Sequence, residues 1–215
     1  VEGVIDFFQY FWDIRNLVIV LTISHFWMAL AGVTLGTMTA VPVGILISRN
    51  SHAGNIVIDL AGMLYTIPSL ALLGFLLPFM GLGWVPTITA LVIYSWLPVL
   101  RNTVTGILGV DPAAKEAAKG MGATPYQLLM NVELPMALPV IMAAIRTVAV
   151  LTVGITVMGA LVGARGLGEL IFQGISMMDN RTILVGTIPV SIMALLFDRL
   201  LGMLERRLKV VTSST

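Results

Sequence analysis

Charge is missing from this chain over distances that a water-soluble fold does not tolerate. Residues 16–48, between Arg15 and Arg49, are 33 consecutive positions without Asp, Glu, Lys or Arg, and residues 60–100, between Asp59 and Arg101, are 41. One bilayer crossing takes about 20 apolar residues, so the second run holds two crossings. Of the 215 residues 58% are hydrophobic and 11% charged, with mean hydropathy +0.99. A soluble domain carries about 25% charge, so this chain cannot face water all round. The pattern describes an all-α integral membrane protein.

Five crossings are predicted, over about 21–48, 56–80, 86–108, 135–162 and 182–204, the third interrupted by Pro98. A single domain over residues 1–215 is expected at this length. The first crossing carries Gly32 and Gly36, a small-xxx-small spacing that lets helices approach closely. Residues 4–13, "VIDFFQYFWD", read as a short interfacial helix and not as a Lys/Arg-led signal peptide. Between the last two crossings, Leu167, Leu170, Ile171, Gly174 and Ile175 recur at helical spacing and predict a short amphipathic helix.

Orientation follows from the cations. With five crossings, Arg49, Arg101, Lys115, Lys119, Arg206, Arg207 and Lys209 fall on one side, and Arg15, Arg165 and Arg181 on the other. The positive-inside rule makes the richer side cytoplasmic. Arg146 and Arg199 lie inside or at the edge of crossings. A charge at Arg146 needs a partner, for which Asp198 and Asp59 are suitable. His25 is expected at the outer interface.

One stretch contrasts with its surroundings. Residues 111–135 contain two lysines and two glutamates in a cytoplasmic loop. Asp111-Pro112 is a helix start, an N-cap followed by proline at the first helical position. Thr124-Pro125-Tyr126-Gln127 is a second start with capping-box spacing, and Gly120 or Gly122 can end the first helix. Leu128, Leu129 and Val132 give the second helix an apolar side. Two short helices joined at a glycine make a docking shape, not a crossing.

The same stretch resembles the signature of ABC-importer permeases, E-A-A-x3-G-x9-I-x-L-P. Here it reads Glu116-Ala117-Ala118, Gly122, Val132 and Leu134-Pro135, with every spacing kept and Val in place of Ile. The resemblance implies a type I ABC importer transmembrane domain whose cytoplasmic coupling helix sits in a cleft of an ATPase. On that reading Glu116 is held by a cation across the interface, and small Ala117 and Ala118 permit close approach. No G-x4-G-K-[ST] phosphate loop occurs in the chain, so the ATPase, with its ATP and Mg, is a separate polypeptide. The implied partners are a cytoplasmic ABC ATPase dimer, a second permease copy or paralogue, an extracellular or periplasmic substrate-binding protein and the lipid bilayer. The implied location is the bacterial inner membrane.

Other stretches narrow the resemblance. "TIPSLALLGFLLP" (66–78), "LPVLRNTVTGI" (97–107), "VELPMALPVIMAAIRT" (132–147) and "GLGELIF" (166–172) resemble permeases for osmoprotectants such as glycine betaine, carnitine and choline. Methionine-importer permeases share the signature and are the alternative. The residues that would line the passage are Tyr65 and Ser69 on the second crossing, Tyr94 on the third, and Arg146, Thr152 and Met158 on the fourth. The usual Gly-Ala-Gly-Gly-Leu-Gly appears as Gly163-Ala164-Arg165-Gly166-Leu167-Gly168. Arg165, with Glu169, then offers charge to a docking protein, or strains the backbone if the replaced glycine needs positive φ.

Other classes fit poorly. Two histidines, His25 and His52, and no cysteine leave a metal site poorly supplied, and Gly174-Ile175-Ser176 lacks the next glycine of a nucleophile elbow. A passive channel explains the crossings but not the signature. A net charge of +1 with no basic patch gives nucleic acid nothing to bind.

Overall fold

A computed structural model describes the backbone over residues 2–213 and the side chains over residues 6–208. Among the described residues all regular structure is helical. In chain order the helices are α1 (Glu2–Asp13), α2 (Arg15–Ile47), α3 (Ser51–Thr66), α4 (Ser69–Met80), α5 (Trp84–Leu108), α6 (Pro112–Gly120), α7 (Pro125–Leu128), α8 (Leu134–Met158), α9 (Gly168–Met177) and α10 (Asn180–Ser213). A π turn, Leu129–Glu133, joins α7 to α8, and a 3-10 turn, Gly159–Val162, closes α8.

Lipid is as apolar as leucine, so helices in a membrane associate through close packing and not through escape from water. The seam between α2 and α5 shows how this sequence achieves it. A Cβ placed on Gly32 would lie 2.5 Å from Leu91 Cβ, one on Gly36 2.5 Å from Ser95 Cβ, and one on Gly44 2.7 Å from Thr103 Cβ. No real Cβ tolerates those distances, so the seam exists only because three glycines lie along it. Each glycine meets the residue 59 positions later (91 − 32, 95 − 36, 103 − 44), so α2 and α5 run parallel. The chain between them must therefore return across the membrane.

That return is not the unbroken crossing predicted over 56–80. It is two helices, α3 and α4, bent by 97° at Ile67-Pro68. Proline's ring disfavours the helical region for the residue before it, and Ile67 takes an extended ψ of 127°. The carbonyl of Ile67, freed from the helix, accepts a hydrogen bond from the Tyr94 hydroxyl. The pair starts beside Asn50, whose side chain caps α3. It ends where Gly83 N–H donates to the Val162 carbonyl at 2.8 Å, beyond the far end of α8. With its ends at opposite faces the pair is one broken span, and with α2, α5, α8 and α10 it makes five among the described residues.

α8 packs between α5 and α10, and also touches α2. Its span is longer than the predicted 135–162, because α7 and the π turn continue into it without a break from Pro125 to Val162. α10 also exceeds its predicted 182–204. Pro98, expected to interrupt the third crossing, sits inside a continuous α5, and Asn102 Nδ2 donates to its carbonyl at 2.8 Å. At the end opposite Asn50, Tyr10 of α1 donates to Thr182 at 2.8 Å, and Arg181 reaches Asp6 at 2.9 Å, pinning α1 to the start of α10. His25, expected at the outer interface, is fully buried, with Nε2 3.0 Å from the Val153 carbonyl. It fits because its neighbour is glycine: a Cβ on Gly166 would sit 3.3 Å from His25 Nδ1.

Gly36→Leu is expected to open the α2–α5 seam. Overpacking of this kind costs about 1–3 kcal/mol, a fall in Tm on the order of 5 °C for a chain of this size. Gly62→Ala, with open space around the new Cβ, is the control and should leave Tm unchanged or slightly raised. Thermal unfolding in detergent measures both.

Candidate functional site: the docking element, the ionic cluster and the tyrosine cavity

The polar stretch folds as its caps dictate. Asp111 Oδ1 accepts from Ala113 N–H at 2.9 Å, and Pro112 opens α6. Gly122, at φ +86°, turns the chain back. Thr124 and Gln127 then form a reciprocal capping box, at 3.3 Å and 2.9 Å. The second short helix is not separate, however. α7 widens into the π turn, and Leu134 N–H reaches back to the Leu129 carbonyl. Pro135 has no N–H to offer and its ring crowds the preceding turn, so a wide turn ahead of it keeps the column continuous.

The signature residues do not all face the same way. Glu116, Ala117 and Gly122 are exposed, and Pro135 is exposed at the foot of α8. Val132 and Leu134 are half-buried, Leu134 against Ile107, Ala137 and Ile141. Ala118 is buried, so its small size serves packing inside this chain and not approach by a partner. Two residues that the sequence reading passed over stand out instead. Met121 is 84% exposed and Tyr126 71%, on either side of the Gly122 turn. Their signal was visible as large apolar side chains in the most polar part of the chain.

Beneath this element lies a buried acid. Glu133, 3% exposed, receives both terminal nitrogens of Arg49, Nη1 at 3.1 Å, and has Lys115 Nζ at 3.9 Å. Lys115 Nζ also donates to the Ile107 carbonyl at 3.0 Å, closing the C-terminal turn of α5 with a cation. Removing one partner of a buried pair costs about 3–5 kcal/mol; Arg49 is half-exposed, which places this pair lower.

Arg146 takes Asp198 as the sequence suggested, and not Asp59, which is exposed on α3. The contact is bidentate, Nε to Oδ1 at 2.6 Å and Nη2 to Oδ2 at 2.9 Å. A second carboxylate, Glu205, accepts from Nη1 at 3.3 Å. Asp198, Gly202 and Glu205 share one face of α10, and the guanidinium lies against the bare Gly202: a Cβ there would come within 3.0 Å of Arg146 Cζ. These side chains line an open groove of about 490 Å³ with Ala143, Thr147, Val150 and Leu151.

Leu151 also borders a smaller cavity of about 30 Å³, walled by Tyr65, Tyr94, Val148, Thr152 and Ile155. Three of the predicted passage residues thus meet. The two tyrosine rings stand edge to face, with centroids 5.7 Å apart. Thr152 turns its hydroxyl to the Ala149 carbonyl at 2.9 Å. Ser69 opens α4 beyond the bend, and Met158 packs into the apolar cluster above; neither forms part of the cavity wall. A cavity of this volume admits water and no larger solute.

At the opposite face from the docking element, Arg165 carries no strain. Gly163, not position 165, takes positive φ (+78°), and Met178 is the one non-glycine residue to do so among the described residues. Arg165 is two-thirds exposed and 3.9 Å from Glu169, whose Oε1 accepts from Gly166 N–H at 3.3 Å. Nearby, Asp179 is held below the usual carboxylate range by the Thr182 hydroxyl and then by Arg181.

Residues 32–210 match the model of the family described as "Binding-protein-dependent transport system inner membrane component". This chain belongs to that family. It is 44% identical to the carnitine transport permease protein OpuCB of Listeria monocytogenes, over 96% of this chain and 94% of that one. It is 42% identical to the choline transport system permease protein OpuBB of Bacillus subtilis, covering 87% and 86%. With the osmoprotectant import permease protein OsmW of Salmonella typhimurium it shares 38% identity, covering 93% and 95%. Among solved structures, a chain of the MetNI methionine ABC transporter in an inward-facing conformation superposes with TM-score 0.83 at 24% identity, covering 91% and 98%. The helices described above are the type I ABC importer permease fold.

A double-mutant cycle on Arg146→Leu and Asp198→Leu checks the α8–α10 cluster. The double variant is expected to melt above the Arg146→Leu single variant, which leaves two carboxylates facing each other. Additive losses would count against the pairing.

Proposed function

We propose that this chain is the permease subunit of an ATP-driven importer of osmoprotectants, solutes such as carnitine, choline and glycine betaine, in a bacterial inner membrane. The observation that carries the reading is the breadth of the likeness: 38–44% identity over 86% or more of the chain to permeases named for these solutes. The methionine reading is the second one. It is supported by the superposition on the MetNI chain, but there identity falls to 24%.

A separate ABC ATPase dimer, binding ATP and Mg, docks on α6 and the Gly122 turn. Glu116, Ala117, Met121 and Tyr126 are the exposed side chains available to it. An extracellular or periplasmic binding protein delivers solute to the opposite face, where Arg165 and Glu169 offer charge. A second permease copy or paralogue completes the passage. Nucleotide binding and hydrolysis favour different positions of the docking element. Because α7 runs into α8 without a break, those positions become positions of α8, which is alternating access between two states.

The solute class suits the walls of the passage. A quaternary ammonium group is weakly hydrated and is attracted to aromatic faces. Tyr65 and Tyr94 supply aromatic rings beside Thr152, at a cavity that admits only water in this conformation and opens to solute in the alternating cycle. Below them the Arg146 groove is lined by the carboxylates of Asp198 and Glu205 as well as by one guanidinium.

Reconstitution into proteoliposomes with the partner ATPase and binding protein tests the reading. ATP-dependent uptake of glycine betaine, carnitine or choline is expected, without uptake of methionine. Methionine uptake alone would select the second reading, and uptake that persists without ATP hydrolysis would remove both. Tyr65→Leu should lower quaternary ammonium uptake about 2- to 30-fold, the range for loss of one cation–π contact.

A further inference from the structure

We propose that Glu133 is a positioning residue for coupling: its buried carboxylate is the pivot that makes α6, α8 and the α2–α3 turn move as one body. The proposal rests on the reading of residues 111–135 as the ATPase-docking element.

Position 133 is the unspecified x of I-x-L-P, so the signature does not ask for an acid there. A leucine would fill the same space without the cost of removing a carboxylate from water. The acid is nonetheless buried, at 3% exposure, and compensated by cations from two other elements. Arg49, in the turn between α2 and α3, grips both carboxylate oxygens. Lys115, on α6, stands at 3.9 Å and also holds the Ile107 carbonyl at the end of α5. One carboxylate at the root of α8 therefore gathers charge from the docking helix and from the neighbouring turn.

Its burial places Glu133 out of reach of a docked partner, which separates it from Glu116 and Tyr126. What remains is transmission. α6 is otherwise joined to α8 through the Met121–Ala123 turn, α7 and the packing of buried Ala118, contacts that fix distance more than direction. The hydrogen-bonded Arg49 pair and the Lys115 charge at 3.9 Å act on the same acid, which adds an ionic link from α6 and carries the displacement to α2 and α3 as well. Arg49, 46% exposed, and Lys115, 20% exposed, lie at the rim, so either can be substituted with less disturbance than Glu133.

The test uses the whole transporter in proteoliposomes, and the quantity read is solute imported per ATP hydrolysed. With Glu133→Gln, hydrolysis is expected to persist while the ratio falls about tenfold, within the range of ordinary coupling free energies. Arg49→Gln should lower the ratio, and the Glu133→Gln/Arg49→Gln double variant should fall no further than Glu133→Gln alone. An unchanged ratio in assembled Glu133→Gln transporter would overturn the proposal. So would uptake and hydrolysis falling in proportion, which marks a merely structural loss. If Glu133→Gln does not assemble, Lys115→Gln at the rim decides: a lowered ratio supports the pivot and an unchanged one overturns it. Absence of ATP-driven uptake by the unaltered complex would overturn the importer reading, and the pivot with it. A normal unaltered ratio with unchanged variants overturns the pivot alone.

Discussion

The structure depends on one long helical column against which the other spans pack. From Pro125 to Val162, 38 residues run through α7, the π turn, α8 and the closing 3-10 turn. At 1.5 Å per residue that is about 57 Å, longer than a bilayer core is thick. One end stands in water beside the docking element and the other meets the Gly81–Gly83 turn. α5, α10 and α2 pack along it, and each of the two ionic clusters has one member on it. A displacement at the foot of such a rod is delivered to the helices packed along it.

The two clusters answer different problems. A charge set among apolar helices must find a partner within the protein, and both Glu133 and Arg146 do. Arg146 ties α8 to α10 with a bidentate contact that the bare backbone of Gly202 makes possible. Glu133 ties the root of α8 to the α2–α3 turn and to α6. Most other contacts of the column are glycine-mediated or apolar, joined by the hydrogen bonds of His25 to Val153 and Gly83 to Val162. The ion pairs fix direction, since a fork of N–H groups accepts a carboxylate in few orientations.

The broken span has a complementary role. Pro68 bends α3 against α4 by 97° and leaves the Ile67 carbonyl free, and the Tyr94 hydroxyl takes it. The bend therefore creates the need that orients Tyr94, and Tyr94 in turn sets the ring of Tyr65 beside Thr152. Irregular backbone within a membrane is tolerated where protein satisfies it. Here the satisfying group is also a wall of the cavity.

Much of this was legible in the chain itself, for a definite reason. Hydropathy, caps and the signature are local patterns, and lipid removes the alternatives that obscure them in water. Uncharged runs determined the crossings, Asp111-Pro112 and the Thr124–Gln127 box determined where α6 and α7 begin, and Glu116 to Pro135 determined the family. The Arg146–Asp198 pair was legible because so few charges lie within the crossings. What only the tertiary structure decided is direction and company. Ala118 turns inward, His25 is buried against Val153, Glu205 joins Arg146, and Glu133 rather than a signature residue meets Arg49 and Lys115. These depend on residues 18 to 128 positions apart meeting across packed helices, and no local pattern encodes which faces those helices present to one another.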